Sequence, residues 1–262
     1  MTTRIAYLWR LARTAFGFAL FGVAAPILAG IALPLARWRS ASSRESQLRM
    51  QRAAHHGCRV YLRVLERIGI LHLEGIRTGR LRDPGSHLVV ANHPTLLDVV
   101  VLLAFMPQAD CIVNRQRARN WLLRGMVNAC GYLSNDGGAA VVEAASARIR
   151  AGRSLIIFPE GTRSPLGGLH AFRRGAAHIA LRTGCDLLPV AIRCTPPTLG
   201  KHQKWYDVPD RAFTVTVTVI DPISPTPVAE GGVGPPLAAR RLTRQLHEAL
   251  AKGLDIVDAG ST

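Results

Sequence analysis

A chain of 262 residues suits one medium domain plus an appendage, or at most two small domains, and 48% hydrophobic content allows a real core. The formal net charge of +16 implies an anionic partner, whether nucleic acid, a membrane surface or a phosphorylated substrate. Only 6% of residues are aromatic and no basic run is interleaved with them, which counts against single-stranded nucleic-acid binding.

The first element is a membrane segment. Phe16 to Leu35 reads FGFALFGVAAPILAGIALPL, inside an uncharged stretch from Thr14 to Ala36. A helix of about 20 residues spans a bilayer core of about 30 Å. Arg4, Arg10 and Arg13 precede it and Arg37 and Arg39 follow at once, which fits a retained segment better than a cleaved signal peptide. Pro26 and Pro34, with Gly17, Gly22 and Gly30, leave open a kinked or re-entrant hairpin in place of a full crossing. Arg44, Arg49, Arg52, Arg59, Arg63 and Arg67 come next, so the bulk of the chain is expected on the cytoplasmic side of a bacterial-type inner membrane. Residues 1–43 form this N-terminal segment, and 44–70 read as a basic amphipathic helix. Leu48, Val60, Tyr61, Val64, Leu65 and Ile68 fall at helical spacing on it, with arginines on other faces. Such a helix either lies on anionic headgroups or presents an ordinary solvated face.

Residues 71–222 read as an α/β domain. His87 to Ala91 is a short apolar run between turn residues and predicts a buried strand, after which Pro94 suits the first turn of a helix from Thr95 to about Ala104. Strands are expected at Cys111–Asn114, Ser154–Phe158, Leu187–Arg193 and Ala212–Ile220. Helices are expected at Trp121–Ala129, Ala139–Ala151 and Arg173–Thr183. This alternation predicts a mostly parallel central sheet flanked by helices. Residues 223–262 then hold a Pro- and Gly-rich linker, beginning near Pro222, and a C-terminal amphipathic helix with Leu242, Leu246, Leu250 and Leu254 on one stripe. The five cysteines (Cys58, Cys111, Cys130, Cys185, Cys194) are odd in number and lack C-x-x-C spacing. They read as reduced, buried thiols, against a disulfide framework or a structural zinc site.

Two motifs carry chemistry. In Asn92-His93-Pro94-Thr95-Leu96-Leu97-Asp98 a histidine at the end of a buried strand precedes an aspartate on the next helix. A carboxylate bonded to one imidazole nitrogen fixes the tautomer and makes the other a better base toward a hydroxyl. Taken alone, the pair reads equally as a structural histidine near a helix cap. In Phe158-Pro159-Glu160-Gly161-Thr162-Arg163-Ser164, which follows another strand directly, Gly161 permits close approach and Arg163 offers a fork for phosphate. Glu160 is placed to orient Arg163 or a substrate hydroxyl. No G-x-S-x-G elbow is present, so a covalent serine route has no support.

Together the two motifs resemble the glycerolipid acyltransferase family, which contains the 1-acyl-sn-glycerol-3-phosphate acyltransferases. Phe172-Arg-Arg-Gly-Ala176 and Leu188-Pro-Val-Ala-Ile192 extend the resemblance over roughly residues 70–222. It implies that His93 is the general base and Asp98 its orienter, and that the acceptor hydroxyl attacks an acyl-CoA or acyl carrier protein thioester with no acyl-enzyme. It implies acceptor binding by Glu160, Gly161, Thr162 and Arg163, with Arg163 on the phosphate and Arg173 or Arg174 adding charge. It gives Pro189 a place in the acyl or acceptor pocket. No metal or bound cofactor is implied, and the partners are membrane lipids and the acyl donor, not nucleic acid.

One departure stands out. Relatives acting on lysophosphatidate carry a block resembling Gly-x-x-Phe-Ile-x-Arg, whereas this chain has Gly131-Tyr-Leu-Ser-Asn-Asp-Gly-Gly138, with Asn135 and Asp136 where the cation is expected. Either Arg115, Arg117 or Arg119 substitutes, or the acceptor is a different lyso-lipid. A non-catalytic protein that uses the same fold to bind anionic lipid is the competing reading, and a nucleic-acid binder rests on the charge alone.

Overall fold

The computed structural model describes residues 2–83, 85–114, 121–135, 137–225 and 234–259. Two long helices come first, α1 (Thr2–Trp38) and α2 (Ser43–Arg67). Strand β1 (Leu71–Ile76) and a 3-10 turn (Thr78–Arg82) lead to β2 (Leu88–Ala91) and α3 (Asp98–Phe105). Then follow β3 (Asp110–Asn114), α4 (Trp121–Cys130), β4 (Leu133–Asn135), α5 (Ala139–Arg150) and β5 (Leu155–Ile157). The chain continues with α6 (Gly175–Thr183), β6 (Leu187–Thr195), β7 (Phe213–Val219) and α7 (Pro235–Ala259).

The seven strands form one sheet in the order β1-β7-β6-β2-β5-β3-β4. Every neighbouring pair is parallel except β6 and β7, so the expected mostly parallel sheet is present, with β7 and β1 running against the other five. Central strands are buried on both faces and read as unbroken apolar runs. In β2 all four residues are fully buried, Val89 and Ala91 facing one core and Leu88 and Val90 the other. The first core lies under α2 and α3, and the second under α5, α6 and α7. Strands β1 and β4, absent from the sequence reading, are the two edges.

Helix α1 is one unbroken helix through Pro26 and Pro34, so the hairpin alternative does not hold. Each proline has a glycine four residues earlier, Gly22 and Gly30. That is the position whose carbonyl a helical proline ring crowds, and glycine there lets the backbone adjust. The stretch Arg4–Trp38 is long and apolar enough to cross a membrane. Helix α2 starts with a side-chain cap, the Glu45 N–H donating to Ser42 Oγ at 3.2 Å. Its buried face is Met50, Ala54, Leu62 and Leu65 with Ser46, Gln51 and His55, whereas Val60, expected on the apolar stripe, is exposed.

Two helix starts shift from expectation. Helix α3 begins at Asp98, so Pro94 and Thr95 lie in the preceding loop and turn. Helix α6 begins at Gly175, because the Arg173 N–H donates back to the Pro159 carbonyl at 2.9 Å and ties the approach to the loop after β5.

Candidate active site

Strands β2 and β5 are parallel neighbours, so the loops after them emerge side by side at the carboxyl edge of the sheet. Asn92 anchors the first loop by pairing with β6: its Nδ2 donates to the Ile192 carbonyl at 2.8 Å, and the Ile192 N–H donates to its Oδ1 at 2.7 Å. His93 follows, with its ring against that of Phe158 at 4.5 Å between centroids.

The His93 Nδ1 lies 2.6 Å from Asp98 Oδ2, and the Asp98 side chain is fully buried. Two more donors fix that carboxylate. The Thr95 N–H donates to Oδ2 at 2.8 Å and the Thr95 hydroxyl to Oδ1 at 2.7 Å. With Nδ1 held as the N–H donor, Nε2 is the nitrogen left to accept a proton. The role of Thr95 was readable in Thr95-x-x-Asp98, the capping-box pattern in which the acidic side chain reaches back to the N–H three residues earlier.

Glu160 lies elsewhere than the resemblance implies. It is buried, and its carboxylate accepts from the Ser164 hydroxyl, from the His93 N–H at 3.3 Å and from the His170 N–H at 2.8 Å. The Ser164 N–H returns a bond to the His93 carbonyl at 2.7 Å, and Ser164 Oγ also accepts the His93 N–H at 3.0 Å. Glu160 and Ser164 therefore brace the backbone of His93. Pro189 also departs from expectation, since it lies within β6 in register with Val90 and is not among the residues that line the cavity beside His93.

His93 opens onto a cavity of about 1210 Å³. Its apolar limb runs between α1, α2, α3 and α4, past Phe21, Leu28, Cys58, Val100 and Met126. Burial pushes the Cys58 thiol up to about 12, so that limb carries no thiolate there. Around His93 the lining turns cationic, with Arg163, Arg173 and Lys201, and Gly161 and Thr162 contribute as well. Arg163 Nη1 donates to the carbonyls of Leu199 and Gly200 at 2.7 and 2.8 Å, which pins it to the loop after β6. Arg173 and Arg174 are exposed. Gly161 has φ +69°, and a Cβ there would stand 2.9 Å from Arg173 Nε, so the glycine both makes the turn and admits the guanidinium.

Asn135 lines the cavity beside its register partner Asn114. Counted strictly from Gly131, the seventh position of the departing block is Gly137, not Asn135 or Asp136. Gly137 and Gly138 also line the cavity, with φ +84° and +78° and open space where a Cβ would be. Asp136, Arg115, Arg117 and Arg119 lie outside the described residues.

The site of this α/β protein is thus a carboxylate-held histidine facing a cavity that is cationic at one end and apolar at the other. Over residues 72–193 this chain matches the family model described as Acyltransferase. It is 29% identical over 145 residues to a 1-acyl-sn-glycerol-3-phosphate acyltransferase of Cocos nucifera, covering 52% of this chain and 45% of that one. It is 25% identical over 178 residues to the alpha form of Mus musculus, covering 60% of each. The matched span is thus about half the length of these relatives. The crystal structure of the 1-acyl-sn-glycerophosphate (LPA) acyltransferase PlsC from Thermotoga maritima shares the fold, with a TM-score of 0.74 at 19% identity over 98% of both chains.

Proposed function

We propose that the protein is an O-acyltransferase that moves an acyl group from an acyl-CoA or acyl carrier protein thioester to the free hydroxyl of a lysophospholipid, 1-acyl-sn-glycerol-3-phosphate giving phosphatidate. The observation that carries this reading is the 2.6 Å contact of His93 with the buried Asp98 beside a cavity with a cationic end and an apolar limb. His93 Nε2 takes the proton of the acceptor hydroxyl as its oxygen attacks the thioester carbonyl carbon. The tetrahedral oxyanion collapses and the carbon–sulfur bond breaks. The departing thiolate takes the proton back from His93, leaving the ester and a free thiol. Asp98 keeps the ring in the productive tautomer and stabilises the imidazolium.

The acceptor phosphate falls to Arg173, with Lys201 and Arg163 nearby, and the acyl chain to the apolar limb. The segment α1 holds the protein at a bacterial-type inner membrane, with the α/β body on the cytoplasmic side. The test uses membranes carrying the full chain, labelled acyl donors and a panel of lyso-lipids. Transfer to 1-acyl-sn-glycerol-3-phosphate, lost in His93→Ala with membrane association intact, is the expected result; full activity in His93→Ala removes it as the base.

The glycine pair Gly137–Gly138, open and lining the cavity, favours a second acceptor, a lyso-lipid whose headgroup extends beyond the phosphate. Preference for such an acceptor in the same panel selects this variant of the reading.

A further inference from the structure

The cavity reaches both faces of the sheet. On the face opposite the apolar limb it continues between α5 and α6, lined by Ile112, Ile157 and Ile179 at its base. Helix α6 and the residue before it contribute Arg174, His178 and Arg182, spaced four residues apart. They lie on one helical face over about 12 Å. The His178 N–H bond to the Arg174 carbonyl, at 3.0 Å, confirms the register. The facing wall is small and apolar: Gly138, Ala139 and Val142. Among the described residues one carboxylate borders the stripe, Glu143, which meets Arg182 at 2.7 Å and Arg150 at 3.5 Å. Arg174 is exposed and makes no salt bridge among the described residues. The groove is therefore positively charged along one wall and continuous with the space beside His93.

Resting on the acyl-transfer reading above, we infer that this groove seats the phosphopantetheine arm of the acyl donor, with Arg174 and Arg182 meeting its phosphate. The two substrates differ in where they carry their phosphate. In a glycerol phosphate it lies close to the reacting hydroxyl and needs a cation beside His93, where Arg173 and Lys201 stand. In the donor it lies at the far end of a long arm and needs a cation further along, which the α6 stripe supplies. The small wall of α5 leaves width for the arm's amides and methyl groups. Free coenzyme A and a carrier protein both present this arm.

The experiment measures equilibrium binding to the detergent-solubilised full chain carrying His93→Ala, so that turnover does not intervene. The probes are coenzyme A, 4′-phosphopantetheine, pantetheine, and carrier protein with and without its arm. Arg174→Gln and Ala139→Phe alter the groove from opposite walls. Each is expected to weaken coenzyme A and 4′-phosphopantetheine by roughly tenfold, the scale of a lost charge-assisted hydrogen bond or a filled cleft. In the catalytically intact chain the same changes raise the donor KM and leave the acceptor KM in place. Tighter binding of coenzyme A than of 4′-phosphopantetheine supports the groove with a nucleotide donor, and preference for the arm-bearing carrier supports it with a protein donor. Binding unchanged to within about twofold in both variants overturns the assignment. Variant-sensitive binding with no acyl transfer from any donor keeps the groove and removes the acyl-transfer reading. Transfer with an unmoved donor KM does the reverse.

Discussion

Thr95 holds the Asp98 carboxylate from two sides, its hydroxyl on Oδ1 at 2.7 Å and its main-chain N–H on Oδ2 at 2.8 Å. The second oxygen is the one that receives the His93 ring. A buried carboxylate without these donors is free to rotate away from the imidazole, so Thr95 sets the geometry of the His93–Asp98 pair. Thr95→Val is expected to lower kcat about tenfold, the scale of one hydrogen bond to a charged group. Thr95→Ser, which keeps the hydroxyl, should stay near the wild-type rate. Acyl-transfer kinetics on the two variants check this, and equal rates in both would assign the control of Asp98 elsewhere.

Glu160 and Ser164 give a prediction that separates bracing from acceptor binding. Glu160→Gln places an amide donor against the Ser164 hydroxyl or the N–H groups of His93 and His170. The loop bearing His93 then loosens. The expected outcome is a fall in kcat of about tenfold or more with the acceptor KM nearly unchanged. A rise in acceptor KM alone would instead place Glu160 in contact with the lipid.

Gly161 is a third site of consequence. An alanine there is held at φ +69° and crowds Arg173 Nε at 2.9 Å and Cζ at 3.0 Å. The left-handed backbone costs about 1 kcal/mol, worth roughly 2–4 °C in melting temperature for a domain of this size. Displacement of Arg173 should raise the KM for a phosphate-bearing acceptor and leave that for a phosphate-free one in place. Calorimetry and paired acceptor kinetics read the two effects.

Stability should depend on pH through His55. This histidine on α2 is buried, with Nδ1 2.8 Å from the Leu103 carbonyl of α3. Burial lowers its pKa below the ordinary 6.5 against the pull of that carbonyl, and His56, Arg59 and Arg82 lower it further. The unfolded chain therefore takes up the proton first as pH falls. The contribution is complete above about pH 6.5 and is lost as pH drops from there through the folded pKa. Melting curves from pH 7.5 to 5 should show that decline, and His55→Gln, which can still donate to Leu103, should flatten it. An identical slope in the variant would assign the acid sensitivity to other groups.

Much of this was legible in the sequence because burial on both faces writes a strand as an apolar run. That holds for β2, β5 and residues 187–192 of β6, whereas β7 alternates apolar residues with Thr214, Thr216 and Thr218. It fails for β1, whose His72, Glu74 and Gly75 interrupt the pattern on an edge, and for the three-residue β4. Strand direction leaves no mark in hydropathy, so the reversal of β7 and β1 was not readable. His93, Asp98 and the loop from Phe158 to Ser164 stand out as motifs, and the structure brings them together. What each residue does within the motif depends on which way a loop folds. The resemblance therefore implied Glu160 and Pro189 as pocket residues, where hydrogen bonds and β-pairing occupy them instead.

Helix α1 is at once long and apolar enough to cross a membrane and a wall of the cavity, through Phe18, Phe21, Ala24, Ala25 and Leu28. Removing it would therefore do more than release the protein from a bilayer. It would unroof the chamber beside the histidine and hydrate its apolar limb. A trimmed, water-soluble version is for that reason a poor surrogate for assays or inhibitor searches, and solubilisation has to keep this helix.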